Sequence, residues 1–240
     1  KDWRASDELT DDPRWSGYDV PPTGNANYAW ILHMAAKLSE NGTAGFILAN
    51  GALSGGGEEY KIRKKMIENH LVEAIIILPR SMFYTTDISV TLWILNKNKK
   101  ARTVSHADVT RNYRNRENEV LFMDLRQWGE PFEKKFVQFS DQHRADITNT
   151  FHTWQEVRAA KEYQNIAEYC YSASIEEIRE KDYSLVPSKY IEFINRDENI
   201  NFDEKMAGLQ AEFSNLLKEE AKSKEDLLAV FKEVGYEIKL

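Results

Sequence analysis

Three apolar runs limit the fold of this 240-residue chain more than any other feature: "TAGFILAN" at residues 43–50, "LVEAIIILP" at 71–79 and "ISVTLWILN" at 88–96. The first two, bounded by Gly42, Gly51 and Pro79, read as buried strands, and the third, rich in β-branched residues, as another strand. Between the first two lies "EEYKIRKKMIENH", in which Ile62, Met66 and Ile67 fall on one helical face and Lys61, Lys64 and Lys65 on the other. Two strands joined through a helix are expected to run parallel. The second and third runs are separated only by the stretch from Pro79 to Asp87, which is shorter than the dozen or so residues that a parallel crossover needs. Those two strands are therefore expected to be antiparallel or not neighbours, and the sheet to be mixed. A fourth run, "EVLFMDL" at 119–125, is expected to add an edge or peripheral strand.

After Trp128 the rhythm changes. "DQHRADITNTFHTWQEVRAAKEY" and "SIEEIREKDYSLVPSKYI" have helix-forming composition, with Pro187 breaking the second. From Phe202 onward, Met206, Leu209, Phe213, Leu216 and Leu217 recur at spacings of three and four, followed by Leu227, Leu228, Phe231 and Val234. Such a stripe either packs on the chain's own body or docks into a groove or coiled coil of another subunit. The expected division is a sheet-bearing part over 1–130 and a helical part over 131–240, with its boundary in "RQWGEPFEKK".

Composition narrows the chemistry. A single cysteine, Cys170, excludes an internal disulfide and a cysteine zinc cluster, and it suits an intracellular, cytoplasmic protein. No apolar run approaches the roughly 18 residues of a membrane span, so no membrane association is expected. The chain starts without methionine, in a polar stretch, which suggests a fragment with a further segment upstream. "SGGGEE" at 54–59 lacks the Lys-Ser or Lys-Thr of a phosphate loop, and Glu58 and Glu59 would repel phosphate. The five histidines show no zinc-ligand spacing, and Cys170 has no base or oxyanion framework around it. The net charge of −7 argues against a nucleic-acid surface over the whole chain. Locally, however, "KNKKARTVSHADVTRNYRNR" sets Lys97, Lys99, Lys100, Arg102, Arg111, Arg114 and Arg116 against Asp108 alone. That stretch is either a solvated loop between strands or a contact to a nucleic-acid backbone, with Lys97, Lys99, Lys100, Arg111 and Arg114 as the candidates.

The strings "DDPRW", "VPPTGNANYAWILHM", "GTAGFILANGALS", "EEYKIRKKMIENHLVEAIIILPRSMFYTTDISVTLWILNKNKK" and "DYSLVPSKYIEF" occur in an order that resembles the methylation subunit of type I restriction-modification systems. Those subunits are similar to adenine-specific DNA methyltransferases that use S-adenosylmethionine. The resemblance covers nearly the whole chain and implies an α/β fold: the later half of a doubly wound, mixed methyltransferase-type sheet, followed by an α-helical tail. The family's catalytic Asn-Pro-Pro-aromatic motif stands just before a segment like Lys1 to Trp15, and it is not in this sequence. Neither is the glycine-rich turn that cradles the cofactor, nor the acidic residue for its ribose. The 240 residues alone are thus expected to be inactive. Pro21-Pro22, followed by Thr23 instead of an aromatic, is expected to stiffen the approach to a helix from Asn25 to Leu38.

The resemblance also assigns roles. An adenine must be flipped out of the duplex to expose its amine; Phe83, or Tyr84 beside it, matches the loop aromatic that stacks on the extruded base. Trp30 matches the position at which related enzymes set an aromatic against the cofactor's adenine, with a core anchor as the other reading. Asn50, ending the first strand, lines the cofactor cleft or merely forms a turn before Gly51. The implied partners are DNA, a specificity subunit, a second methylation subunit and a restriction/translocation subunit. The alternative is a non-catalytic module that docks a DNA-specificity subunit.

Overall fold

A computed structural model of the chain describes residue 3 and residues 8–157, 162–194 and 201–235. Helix α1 (Asn27–Lys37) follows the Pro21-Pro22 turn, where Trp3 Nε1 donates to the Pro22 carbonyl at 2.7 Å and Asn25 Oδ1 accepts from the Asn27 amide at 3.0 Å. The prolines thus lead into a helix, as expected. Strand β1 (Thr43–Ala49), helix α2 (Gly57–Glu68), strand β2 (Val72–Ile77) and strand β3 (Val90–Asn96) match the apolar runs and the amphipathic segment between them. On α2, Ile62, Met66 and Ile67 are buried, whereas Lys61, Lys64 and Lys65 are exposed.

The basic stretch folds as a hairpin of β4 (Arg102–His106) and β5 (Val109–Tyr113), followed by β6 (Glu119–Asp124). A small ribbon, β7 (Glu130–Phe132) with β8 (Phe136–Gln138), leads into α3 (Asp141–Gln155). Ser140 and His143 close the start of α3 with a reciprocal capping box. The helical pattern expected to continue past α3 runs over residues 158–161, which lie outside the described residues. Strand β9 (Cys170–Ser174) and helix α4 (Ile175–Glu180) follow.

The central sheet has the order β1-β3-β2-β6-β9. β3 pairs antiparallel with both β1 and β2, β2 pairs parallel with β6, and β6 pairs antiparallel with β9. The sheet is mixed and the β2–β3 pair is antiparallel, both as expected. β1 and β2 do run in the same direction, but β3 is inserted between them, so they are not neighbours. The expectation for residues 119–125 is corrected: β6 lies inside the sheet, with Val120 to Met123 fully buried, because β9 covers its outer edge.

Alternating side chains build two cores. On one face Ile75, Trp93, Leu95, Val120 and Phe122 meet α1 and α2; on the other Ala74, Ile76, Leu121 and Met123 meet Trp154 of α3, with Tyr169 and Leu125. Covering both faces explains why β2, β3 and β6 are apolar along most of their length; β1, at the sheet's edge, is covered on one face only, with Thr43, Gly45, Ile47 and Ala49 exposed, so the expectation of a buried strand is corrected there. Arg63, buried on α2, donates to the carbonyls of Tyr183 (2.8 Å) and Gly55 (2.7 Å), which ties the "DYSLVPSKYI" segment to the helical layer. Tyr190 from that segment stacks on Phe122 at 4.1 Å.

The chain divides into two compact units after Phe193, not near Gly129 and Pro131. Residues 131–193 stay with the sheet because they supply α3 and the edge strand β9. The second unit carries one continuous helix, α5 (Phe202–Glu233), begun by the Asn201 side chain accepting from the Asp203 amide at 3.1 Å. Its 32 residues extend about 48 Å, and none of them is buried. Among the described residues no helix is long and apolar enough to cross a membrane.

Candidate functional site

Strands β1, β2 and β6 point the same way, so Asn50, the loop after Leu78 and the Asp124–Arg126 corner lie together at one end of the sheet. In open α/β sheets this carboxyl end is where ligands are held. The loop from Pro79 to Ser89 is pinned at its base and tight at its tip. The Ser81 amide donates to the Asp87 carbonyl at 3.3 Å, and Ser89 Oγ donates to the Leu78 carbonyl at 2.6 Å. Phe83 and Thr86 face each other across an isolated bridge, with the Thr86 amide donating to the Phe83 carbonyl at 3.3 Å, so Tyr84 and Thr85 occupy the turn.

This geometry gives the two aromatics different surroundings. Phe83 is half-buried and packs against the second core. Tyr84 is 72% exposed. Both line an open pocket of about 270 Å³, with Thr86 and Asp87 beside them and Lys135 and Phe136 opposite. Asp87 carries an ion pair with Arg80 at 3.4 Å, which balances its charge at the rim. Sequence reasoning singled out Phe83 and Tyr84 but missed Phe136, which lies more than fifty residues downstream and meets Tyr84 only through the fold.

Asn50 opens a short 3-10 turn directly after β1, and its Oδ1 accepts from the Thr91 hydroxyl at 2.5 Å. The bond fixes the amide at the carboxyl end of the sheet, half-buried. Trp30 is not a core anchor: it is 61% exposed, with His33 edge-on at 6.1 Å. The buried face of α1 is that of Tyr28, Ile31 and Leu32; the Tyr28 hydroxyl donates to the Ala52 carbonyl at 2.7 Å. Trp30 lies roughly 200° round the helix from Tyr28, so α1 starts beside the Asn50 turn while its tryptophan faces outward. Among the described residues no cluster of histidine, cysteine and acids has the makings of a metal site.

The basic stretch leaves β3 at Asn96, the opposite end of the sheet from the pocket. Six residue steps along β3 separate the ends by about 20 Å. There Glu73 is the extra residue of a β-bulge in β2 and is wholly buried. Its Oε1 accepts from Arg116 Nη2 (3.0 Å), Arg116 Nε (3.1 Å) and Gln155 Nε2 (3.0 Å), and its Oε2 from Asn96 Nδ2 (2.6 Å). Lys99 is 1% exposed and donates to the carbonyls of Val72 (2.8 Å) and Glu119 (2.6 Å). Burial pulls its ammonium down to about 8, against the nearby Glu73 carboxylate. Arg114 makes a two-pronged ion pair with Glu119, 2.7 Å on each arm. Lys97 donates to the Leu38 carbonyl at 2.8 Å, and Arg111 lies 3.7 Å from Glu156. Lys100, 73% exposed and 4.0 Å from Glu117, keeps its amine largely in solvent.

The profile of the N-6 DNA methylase family matches residues 1–199. The type I restriction enzyme HindI methylase subunit of Haemophilus influenzae is 38% identical over 99% of this chain, and the MjaIX methylase subunit of Methanocaldococcus jannaschii is 32% identical over 98%. The chain spans 49% of the first and 40% of the second, about half the length of these relatives or less. Among solved structures, a type I restriction-modification methyltransferase subunit from Streptococcus thermophilus superposes with a TM-score of 0.65 at 29% identity. That superposition covers 81% of this chain and 36% of the other.

Proposed function

The chain belongs to the N-6 DNA methylase family, and on that footing we propose that it is the part of an adenine-specific DNA methyltransferase subunit that seats the acceptor base, within a type I restriction-modification assembly. The observation that carries this reading is the pinned loop at the carboxyl end of β2, which holds Tyr84 in solvent over an aromatic pocket. A flipped adenine needs a flat apolar surface to replace the stacking it loses, and one aromatic contact is worth about 1 to 3 kcal/mol. Tyr84 offers that surface; Phe83, anchored in the second core, holds the loop in place. This moves the stacking role from Phe83 to its neighbour, because a ring already packed on one side has less area left for a base.

The methyl donor in this reading is S-adenosylmethionine, whose sulfonium supplies an electrophilic methyl group for in-line attack by the adenine amine. Trp30, on the outer face of α1, is the candidate to meet its adenine, and Asn50, at the end of β1, to line its cleft. The chain's own task is positional: the loop fixes the base, and the Asn50–Thr91 bond fixes the amide at the sheet end. The exposed stripe of α5, with Met206, Leu209, Phe213 and Leu216 at alternating spacings of four and three, suits an arm that docks the specificity subunit or the other subunits of the complex.

The test is methyl transfer to adenine N6 in unmodified DNA by the full-length subunit assembled with its specificity subunit. Labelled methyl groups on adenine are expected; their absence, in an assembly that binds DNA, would sink the enzymatic reading and leave a docking module. The 240-residue chain alone is expected to bind S-adenosylmethionine too weakly for calorimetry to detect at micromolar concentrations. Stoichiometric micromolar binding would place the cofactor site wholly within it.

A further inference from the structure

The β7–β8 ribbon belongs to neither core helix layer nor the central sheet, yet it is held firmly against the 79–89 loop. The Val137 amide donates to the Ser81 carbonyl at 3.0 Å, joining ribbon to loop by their backbones. Gly129, just before the ribbon, has φ +109°, and a side chain there would come within 2.3 Å of Val137 Cγ1; only glycine allows this close return of the chain. The Phe136 ring meets Tyr84 edge-on at 4.7 Å with an interplanar angle of 74°. Lys135 lies 5.0 Å from the Phe136 ring centre and borders the pocket. Two aromatic rings from distant segments and one exposed amine thus converge on one opening. Glu133 stands at the ribbon's turn, and Asp87, on the opposite rim, is paired with Arg80.

We infer that this ribbon is the second wall of the acceptor-base site, with Phe136 as a positioning residue that sets the Tyr84 ring and Lys135 as the contact to the phosphodiester beside the extruded nucleotide. The inference rests on the base-seating role proposed for the loop. The chemistry of a nucleotide calls for this pairing: a flat base wants an oriented ring, and its flanking phosphate wants a cation a few ångströms away. A T-shaped partner can cover one face of a tyrosine ring at most and leaves the opposite face to a base.

The experiment uses the full-length subunit in its assembly, with unmodified genomic DNA as acceptor and labelled S-adenosylmethionine as donor. Lys135→Ala should raise KM for DNA about fivefold with kcat unchanged, and reduce the slope of log KM on log salt by about 0.9, the share of one phosphate. Phe136→Leu keeps the ribbon's apolar packing and loses the ring; it should lower kcat about tenfold, with KM for S-adenosylmethionine unchanged and recovery in Phe136→Tyr. A parental salt slope in Lys135→Ala, or parental kcat in Phe136→Leu, overturns the inference. If Tyr84→Ala is impaired while both ribbon variants behave as the parent, the ribbon assignment alone fails. If Tyr84→Ala matches the parent, the base-seating role of the loop fails and takes the ribbon with it.

Discussion

The two ends of the central sheet use the same kinds of residue for opposite purposes. At the carboxyl end of β2 the chain leaves the sheet through a short pinned loop, and its aromatics stand in solvent around a pocket. At the other end a bulge turns Glu73 into the interior, where it pairs with Arg116, and Lys99 is drawn in beside it, although both look in sequence like part of a binding surface. Lys99 and Arg116 are as buried as any core leucine. A charge or ring is available to a ligand only when the fold has not already given it a partner, and here the partners are nearly all at one end.

The comparison is most easily broken at Arg116. Its guanidinium is fully buried against Glu73, and removing one member of such a pair leaves an uncompensated charge that costs about 3 to 5 kcal/mol. Arg116→Met should therefore lower the unfolding free energy by about that amount in denaturant titration. Adding Glu73→Gln should restore part of the loss. Methyl transfer per folded molecule should not change, since the network lies about 20 Å from the pocket. A loss under about 1 kcal/mol, below the range for a broken buried pair, would mean that the network does not hold this end of the sheet.

Lys99 sharpens the same contrast through pH. Its folded value of about 8 lies below the ordinary 10.5, so between those values the unfolded chain binds the extra proton. Stability contributed by this group therefore rises as pH increases from about 8 to 10.5, and is lost again as pH falls back through 8. The full swing is at most about 3 kcal/mol. Burial raises the tyrosine hydroxyls, Tyr28 to about 12, and these act in the opposite sense above pH 10, so the useful quantity is the difference between parent and Lys99→Met. Parental stability relative to that variant should climb across the window. A flat difference would show that Lys99 titrates normally.

At the pocket end the effect falls on activity, not on folding. Tyr84→Ala should reduce kcat/KM about 10- to 100-fold, in keeping with about 1 to 3 kcal/mol for a lost stack, while the melting temperature stays close to that of the parent. Phe83→Ala should lower both, because its ring is part of the second core. Equal thermal losses in the two variants would erase the distinction drawn between them.

Much of this arrangement is legible in the residues themselves. The strands β1, β2 and β3 announce themselves as apolar runs, α2 by its Ile62, Met66 and Ile67 face, and α5 by its stripe. The position of β6 is not legible, because its covering strand "CYSAS" is short, small and half-polar, and nothing local marks it as a sheet edge. Nor can spacing show that β3 is inserted between β1 and β2, since both arrangements satisfy the same loop lengths. The basic stretch misleads for a related reason. Charges counted along a sequence carry no record of a carboxylate 43 positions away, and Glu73 sits in an apolar run that reads as pure core. Phe83 and Tyr84 were visible as adjacent loop aromatics. Which of them faces solvent was decided by the Phe83–Thr86 bridge, and Phe136 by packing alone.

The smallest expected effect tests whether nucleic acid reaches the far end at all. Of the five basic residues considered for backbone contact, Lys99 is sealed inside, Arg114 is held by Glu119, Lys97 donates to a carbonyl and Arg111 lies beside Glu156. Lys100 keeps its amine mostly in solvent, and a pair as long and exposed as its contact with Glu117 contributes little, on the order of a few tenths of a kcal/mol. Lys100→Ala should therefore leave stability unchanged and, if duplex contacts gather around the pocket, leave the salt dependence of KM for DNA at the parental slope. Lys135→Ala measured alongside supplies the contrast, with its expected loss of about 0.9 in slope. Should Lys100→Ala lose the same amount, the duplex must pass both ends of the sheet, and the basic stretch would regain a role in binding through a residue that the interior did not claim.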